Sequence, residues 1–399
     1  MRTLRFDRQE LAGSLGDLGT LLPLAIGLVL VNGLDATGLL FSVGLFYILA
    51  GLYFGVTVPV QPMKVIGAYA IAAAMTPGEV TAAGLWMAAL LLGLGFSGGM
   101  GIVCRIVPFS TVRGVQLATG VLLVTQGIGF MLGTTSLQQT HGAAEPFLAV
   151  SAFGPVPVGL VLGLAAVALT LALLDNRRVP AALVVVGLGI LAGGVLGAGR
   201  GLGGFHVGLH LPPVLPFGWP SGSEIAIALT ALALPQLPMT VGNAVVAQAD
   251  LTREYFGEDA ARRTTPRALS ISMGLANAGA ALVGGMPVCH GAGGLAAHYR
   301  FGARTAGSNL MIGAIVLVLA LAVGDMAMRL LTLLPFAVLG ALLCFAGAQL
   351  ALMILDVRDR QDLLVVIAML GTTLATNLAV GFVTGIGLAY VVRYTRVRV

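Results

Sequence analysis

The chain has 399 residues, 58% of them hydrophobic and only 9% charged, with a mean hydropathy of +0.99. Soluble domains run to about 25% charged residues, so this composition excludes a large soluble domain and describes an all-α polytopic membrane protein. The net charge of +5 marks no nucleic-acid partner, because most arginines stand in short loops between apolar runs, where they act as topology signals.

Met1–Glu10 is charged and leads into a first apolar run, Leu15–Val31, interrupted by Pro23. No A-x-A-like site follows, so no removable signal peptide is read. Ala36–Val56 comes next, then a broken run, Pro59–Met75. Ala82–Val103, Val112–Met131, Pro157–Leu174 and Val179–Gly197 complete a first half, 1–198. Residues 199–223 form a connecting loop outside the cytoplasm. The second half, 224–399, holds Ile225–Val246, Leu269–Gly285, a second broken run at Pro287–Tyr299, Leu310–Val323, Leu331–Ile354, Leu363–Ala375 and Leu378–Val392. That makes fourteen membrane segments in two sets of seven. Seven is odd, so the second half runs inverted relative to the first. Pro108-Phe109 stands twelve residues before Gly120, and Pro335-Phe336 twelve before Gly347, at the fifth segment of each half.

The arginines fit an arrangement with both termini cytoplasmic, in a plasma (inner) membrane. The inner turns hold Arg105, Arg177, Arg178, Arg253, Arg262, Arg263, Arg267, Arg300, Arg304, Arg358 and Arg360. The tail adds Arg393, Arg396 and Arg398, whereas the outer loops hold only Arg200 and Arg329. Cys104, Cys289 and Cys344 form no C-x-x-C pair, so neither a disulfide framework nor a metal site is expected. No cofactor is expected either.

The two broken runs are the third segment of each half. The first reads Thr57-Val-Pro-Val-Gln-Pro-Met-Lys64, then Val65 to Met75. Eleven helical residues reach about 16 Å, against a hydrocarbon core of about 30 Å. The Pro-x-x-Pro stretch must cover the rest as extended chain, and the prolines keep the residues before them out of the α region. The second break, Gly284-Gly-Met-Pro-Val-Cys-His-Gly-Ala-Gly-Gly294, follows the same arithmetic. Extended backbone at membrane depth survives only where it is buried in protein or lines a cavity. Two half-helix N-termini approaching such a cavity from opposite sides make an anion site.

Lys64, the chain's one lysine, sits at the first of these ends. A lysine at bilayer depth costs roughly 2.5–3.5 kcal/mol on insertion scales; the competing reading places it in a cytoplasmic turn. Gln61 is a candidate donor, or a partner for neighbouring backbone. His290 can donate to an anion, shuttle a proton or cap a helix. Cys289 packs or faces the ligand. Gly291, Ala292 and Gly293, with Gly294, either let backbone N–H groups approach a ligand or allow close helix packing. Asp17, in Ser14-Leu-Gly-Asp-Leu-Gly-Thr20, carries a coupling proton or caps its helix. Gln236 and Asn243, in the eighth segment, are neutral donors suited to orienting an oxyanion. Asp250 reads as a cytoplasmic helix end.

Three stretches carry a resemblance. Glu10-Leu-Ala-Gly-Ser-Leu-Gly-Asp-Leu-Gly-Thr-Leu-Leu-Pro23, Pro59-Val-Gln-Pro-Met-Lys64 and Met286-Pro-Val-Cys-His-Gly-Ala-Gly-Gly-Leu295 resemble the molybdate transporter family, a branch related to the sulfate permeases. Gly242-Asn-Ala-Val and Tyr299-Arg-Phe-Gly-Ala-Arg-Thr305 fit the same pattern. The resemblance implies seven plus seven inverted segments divided into core and gate domains, with the substrate between the third and tenth segments and flanked by the first and eighth. It also implies uptake of molybdate, with tungstate and sulfate as competitors. The chain stops just after its last segment, so no soluble C-terminal regulatory domain is expected. Membrane lipid surrounds such a protein, and a homodimer is compatible with it.

Other classes stay open. A sulfate transporter or an anion channel could use the same fold. A nucleobase permease would more naturally show an acidic residue near the second half-helix. An enzyme is not expected, since the chain has no H-E-x-x-H.

Overall fold

Prolines and capping residues set where the helices begin. The computed structural model describes residues 4–140, 142–174, 176, 180–197 and 208–395. Arg177, Arg178, Arg200, Arg396 and Arg398, and the start of the expected 199–223 connection, lie outside the described residues. The first run is two helices, α1 (Arg8–Leu15) and α2 (Leu18–Leu30), bent by 47° at Gly16 and Asp17. The interruption expected at Pro23 falls instead at Gly16 and Asp17, and Pro23 lies inside α2. The bend lets α1 lie across a later helix. α3 is Ala36–Phe54, capped by Asp35. α4, Lys64–Ala72, has only 9 residues, so it is shorter than the eleven expected.

Thr76 and Glu79 cap each other's backbone and start α5 at Pro77, five residues before the expected Ala82. α5 runs to Ser97, and the rest of the expected span is a separate short helix, Met100–Ile106. Then follow α6 (Phe109–Leu132), α7 (Val158–Leu173) and α8 (Ala181–Leu196). α9 is one continuous helix over Gly222–Phe256. It contains Pro235 and Pro238, and widens into π turns at Ala228–Ala233 and Thr240–Ala247. A proline removes one backbone donor and crowds the turn before it, and wider turns relieve that misfit. α10 (Pro266–Leu282), α11 (Ala292–Phe301), α12 (Gly307–Val323), α13 (Phe336–Ala351), α14 (Arg360–Ala375) and α15 (Leu378–Thr395) complete the chain. Among the described residues six helices are long and apolar enough to cross a membrane, or seven if α1 and α2 count as one. α7, α8 and α12 are shorter apolar helices.

Before α4 and before α11 the chain runs extended. Gly55 (φ 71°) ends α3 and Gly284 (φ 70°) follows α10, each in the left-handed region that glycine enters without strain. The two extended stretches then meet. β1 (Gln61–Pro62) pairs antiparallel with β2 (Val288–Cys289), placing Gln61 opposite Cys289 and Pro62 opposite Val288. The Met63 N–H reaches the Pro287 carbonyl at 2.9 Å.

So short a ladder leaves most of the buried backbone unpaired, and two asparagines take its place. Asn309 of α12 accepts from the Val58 N–H (3.0 Å) and donates to the Val58 carbonyl (2.7 Å) and the Tyr47 carbonyl (3.2 Å). Asn277 of α10 does the same for Val288, accepting from its N–H (2.9 Å) and donating to its carbonyl (2.9 Å). Each buried amide left without a partner would cost about 1–3 kcal/mol.

The helices pack in two groups. α3 lies on α12, α5 on α10, and α1 on α11 and α12. Separately, α6 lies on α13 and α14, and α14 on α15. Small residues set the seams, as expected where lipid offers no hydrophobic drive between helices. A Cβ on Gly120 of α6 would stand 2.6 Å from the Gly347 carbonyl oxygen of α13, and the reverse is also 2.6 Å. A Cβ on Gly44 of α3 would stand 2.7 Å from the Leu317 nitrogen of α12. α2 lies on α13 of the second group, and α4 touches both groups, through α6 and α5.

Candidate functional site

Lys64 opens α4 where the chain turns from extended to helical. It lines a cavity of about 460 Å³ with Thr20 of α2, Gln116 of α6, Asn243 of α9, Gly293 of α11 and Gln349 of α13. The walls therefore come from both helix groups. Gly293 is the second residue of α11, and nothing lies within 4 Å of the place its Cβ would occupy. The start of that half-helix is open to the cavity.

The start of α4 is not open in the same way. The Gln236 side-chain oxygen accepts from the N–H groups of Val65 (2.9 Å) and Ile66 (3.3 Å), and its amide donates to Thr240 Oγ1 (2.9 Å). Gln236 was expected to donate to an oxyanion; instead it caps a half-helix from a neighbouring helix. The π turns on either side of it offer room for this register.

Gln61 and Asp17 lie buried together. Gln61 Nε2 donates to Asp17 Oδ1 at 2.5 Å. Asp17 Oδ2 and Gln61 Oε1 have no protein partner. Asp17 occupies the N-cap position of α2, but its side chain makes no capping bond there. The glycines of α11 explain the closeness. A Cβ on Gly294 would stand 2.6 Å from Pro59 Cβ and 2.8 Å from both Asp17 Oδ2 and Gln61 Nε2. One on Gly291 would collide with Gln61 Oε1 and lie 3.3 Å from Asn243 Nδ2. Gly291 and Gly294 thus admit other side chains, while Gly293 faces open space.

His290 is placed apart from the cavity. Its Nδ1 meets the Pro59 carbonyl at 2.8 Å and its Nε2 meets Ser272 Oγ at 3.1 Å. Its ring lies 4.6 Å from Phe46 and edge-on to Phe54 at 5.6 Å. Both nitrogens are engaged with protein, so the ring braces the extended stretch, and its expected role as anion donor or proton shuttle finds no geometric support. Cys289 belongs to β2, with Sγ 4.0 Å from the Pro62 carbonyl. Ala292 begins α11, is buried, and does not line the cavity. Asp250 is exposed and stands 3.8 Å from Arg253. Among the described residues no group of three or more His, Cys, Asp or Glu could hold a metal ion.

Several residues that build this region escaped the sequence reading. Asn277 and Asn309 stand as lone amides in apolar runs, a signal that was available. Gln116 and Gln349 line the cavity but are separated by too much chain for spacing to join them. Glu10 explains two of the quoted stretches at once, since its carboxylate accepts from the N–H groups of Arg304 (3.1 Å) and Thr305 (3.0 Å).

A family model described as "Molybdate transporter of MFS superfamily" matches residues 9–123 and 228–350. Molybdate transporter 2 of Arabidopsis thaliana is 31% identical, over 94% of this chain and 85% of its own length. Molybdate transporter 1 of the same plant is 33% identical, over 97% and 88%. Molybdate transporter 1 of Chlamydomonas reinhardtii is 32% identical, over 96% and 91%. Among solved structures, the transmembrane domain of the cyanobacterial bicarbonate transporter BicA superposes with a TM-score of 0.68 at 19% identity, over 95% of this chain and 97% of its own. SLC26A9 superposes with the same TM-score at 16% identity, over 97% of this chain and 65% of that one. These two similarities establish a shared fold.

Proposed function

The chain belongs to the molybdate transporter family, and from that premise we propose that it is a secondary transporter carrying molybdate, a tetrahedral oxyanion, by alternating access. One observation carries this reading: the single lysine of the chain stands at a half-helix start and lines the cavity that the other half-helix start also faces. The ammonium and the positive helix ends offset the charge of a dianion at depth, where an unpaired charge on either side is costly. Lys64 supplies the fixed charge, Gly293 a backbone donor, and Asn243 and Thr20 side-chain donors. Gln61 lies behind them, holding Asp17. Gln236, Cys289, His290, Gly291 and Ala292 shape the site without touching the anion.

Asp17 is the group for a coupling proton. One of its oxygens is buried without a partner, next to the residues that hold the anion site. Uptake with and without an imposed pH gradient checks this. Equal rates would remove proton coupling, and Asp17→Asn is expected to abolish any difference.

The finer architecture in this reading is fourteen segments in two inverted sets, over 1–198 and 224–399, with a core bundle moving against a gate bundle. The pairing supports it. The shift along the chain that carries Gln61 to Val288 and Pro62 to Cys289 also carries Gly120 to Gly347. Both pairings are reciprocal under that shift, as a two-fold axis requires. The arginine asymmetry supports cytoplasmic termini in an inner membrane.

Molybdate binding to the purified protein tests the substrate and the site together, with unaltered chain beside Lys64→Ala and sulfate as competitor. Binding that resists excess sulfate, is displaced by tungstate and is lost in Lys64→Ala is the expected result. Unchanged binding in the variant would return Lys64 to a topology signal, and abolition by sulfate would overturn the specificity.

A further inference from the structure

Arg113 lines the same cavity as Lys64, at a part of the wall that includes the exposed Met353. Each of its three guanidinium nitrogens makes one hydrogen bond. Nε donates to Asp356 Oδ1 at 2.8 Å and Nη2 to Asp356 Oδ2, while Nη1 donates to Gln116 Oε1 at 2.8 Å. It also lies 4.6 Å over the Phe109 ring. The cation side chain is 15% exposed, whereas Asp356 is 49% exposed. The charge is therefore held from three sides, and its counter-ion is the loose partner.

A structural role accounts for little of this. The seam between α6 and α13 is set by Gly120 on Gly347, and an ion pair with a half-exposed partner contributes little to stability. The geometry has a different meaning. The two donors face two oxygens of one carboxylate, the fork by which arginine also grips two oxygens of a tetrahedral oxyanion. A dianion brings twice the charge of Asp356 to that fork.

We infer that Arg113, positioned by Gln116 and Phe109, is an outer binding site for the oxyanion, between Lys64 and the face to which the cavity opens, and that Asp356 occupies this site until the anion displaces it. The inference rests on the transport reading above and adds a second anion contact to it. Anion entering from that face exchanges with the carboxylate and passes deeper to Lys64, and anion leaving toward it takes the same route in reverse. The role is in capture, so it appears in KM and in the dependence of uptake on ionic strength.

The test is uptake of molybdate into inside-out membrane vesicles, where added anion meets the open wall, normalised to transporter abundance, for Arg113→Ala, Asp356→Ala and the charge swap Arg113→Asp with Asp356→Arg. Arg113→Ala is expected to raise KM about tenfold, the scale of one lost charge-assisted contact, with the maximal rate nearly kept. Asp356→Ala is expected to move KM the opposite way, lowering it several-fold, and the swap to behave like Arg113→Ala. The inference is overturned if the two single variants shift KM in the same direction, or if the swap restores uptake, because a pair that only braces the fold predicts both. Sulfate is carried through the same series. Loss of molybdate uptake in the unaltered chain would sink the substrate reading, while the Arg113 comparison would still be decided on sulfate.

Discussion

Two neighbouring glycines separate packing from binding at the start of α11. A methyl on Gly294 would meet Pro59, Asp17 and Gln61 at 2.6–2.8 Å, closer than any real side chain sits. Overpacking of this kind typically costs about 1–3 kcal/mol, and here it would also part Gln61 from Asp17. A methyl on Gly293 would meet nothing within 4 Å and would project into the cavity. Gly294→Ala is therefore expected to lower the amount of folded protein recovered in detergent. Gly293→Ala is expected to leave that amount unchanged and to weaken molybdate binding several-fold, more than it weakens sulfate binding, since sulfate is the smaller anion. Size-exclusion yield and a binding isotherm for each variant decide the matter. Equal yields with equal affinities would mean that the cavity in front of Gly293 is not where the anion sits.

At the scale of elements, each extended stretch leans on an asparagine of a packed helix. Asn309→Ala would strand the Val58 N–H and carbonyl in a dry interior, at a cost of about 3 kcal/mol for the two groups. A thermal midpoint lowered by several degrees, against little change on replacing an exposed amide such as Gln139, is the expected outcome; no shift would mean that water replaces the amide. The breaks themselves were legible, because Pro59, Pro62 and Pro287 cannot propagate a helix and Gly55 and Gly284 permit the turns. The partners were not, because an asparagine in an apolar run does not reveal which backbone it meets. The same holds for Glu145, which lies in the connection between α6 and α7. It accepts from the Phe336 N–H (3.0 Å) and the Ala337 N–H (2.6 Å) in the first turn of α13. Burial pushes its carboxyl up to about 7 from an ordinary 4.5, against the pull of those two donors. Folding thus favours the protonated form, so this contribution to stability is fully present below about 4.5 and is lost as pH rises through about 7. Thermal midpoints taken between pH 5 and pH 8 should fall across that window in the unaltered chain, and Glu145→Gln should lack that part of the fall. An identical pH profile in both proteins would discard the assignment.

For the molecule as a whole, composition made the membrane class legible, and the paired breaks located the two half-helices α4 and α11. Which face the cavity opens to was not legible, because it depends on how two helix bundles lean, and no local pattern encodes that. In the structure the open wall carries Arg113 and Met353, at the end of α6 opposite Glu145. If the positive-inside arrangement holds, that wall faces the cytoplasm. Gly242 lines the cavity, is exposed, and has nothing within 4 Å of its Cβ position, so it accepts a cysteine without rearrangement. A membrane-impermeant thiol reagent should label Gly242→Cys in inside-out vesicles, above the background of the three native cysteines, and should label it poorly from the outside of intact cells. Molybdate should slow the labelling, since an anion held between Lys64 and Gly293 either shields the thiol or draws the bundles toward the closed arrangement that alternating access requires. Labelling from the outer face alone would reverse the orientation while leaving the site intact. Labelling equally fast from both faces would argue for a continuous pore, and with it for a channel in place of a carrier.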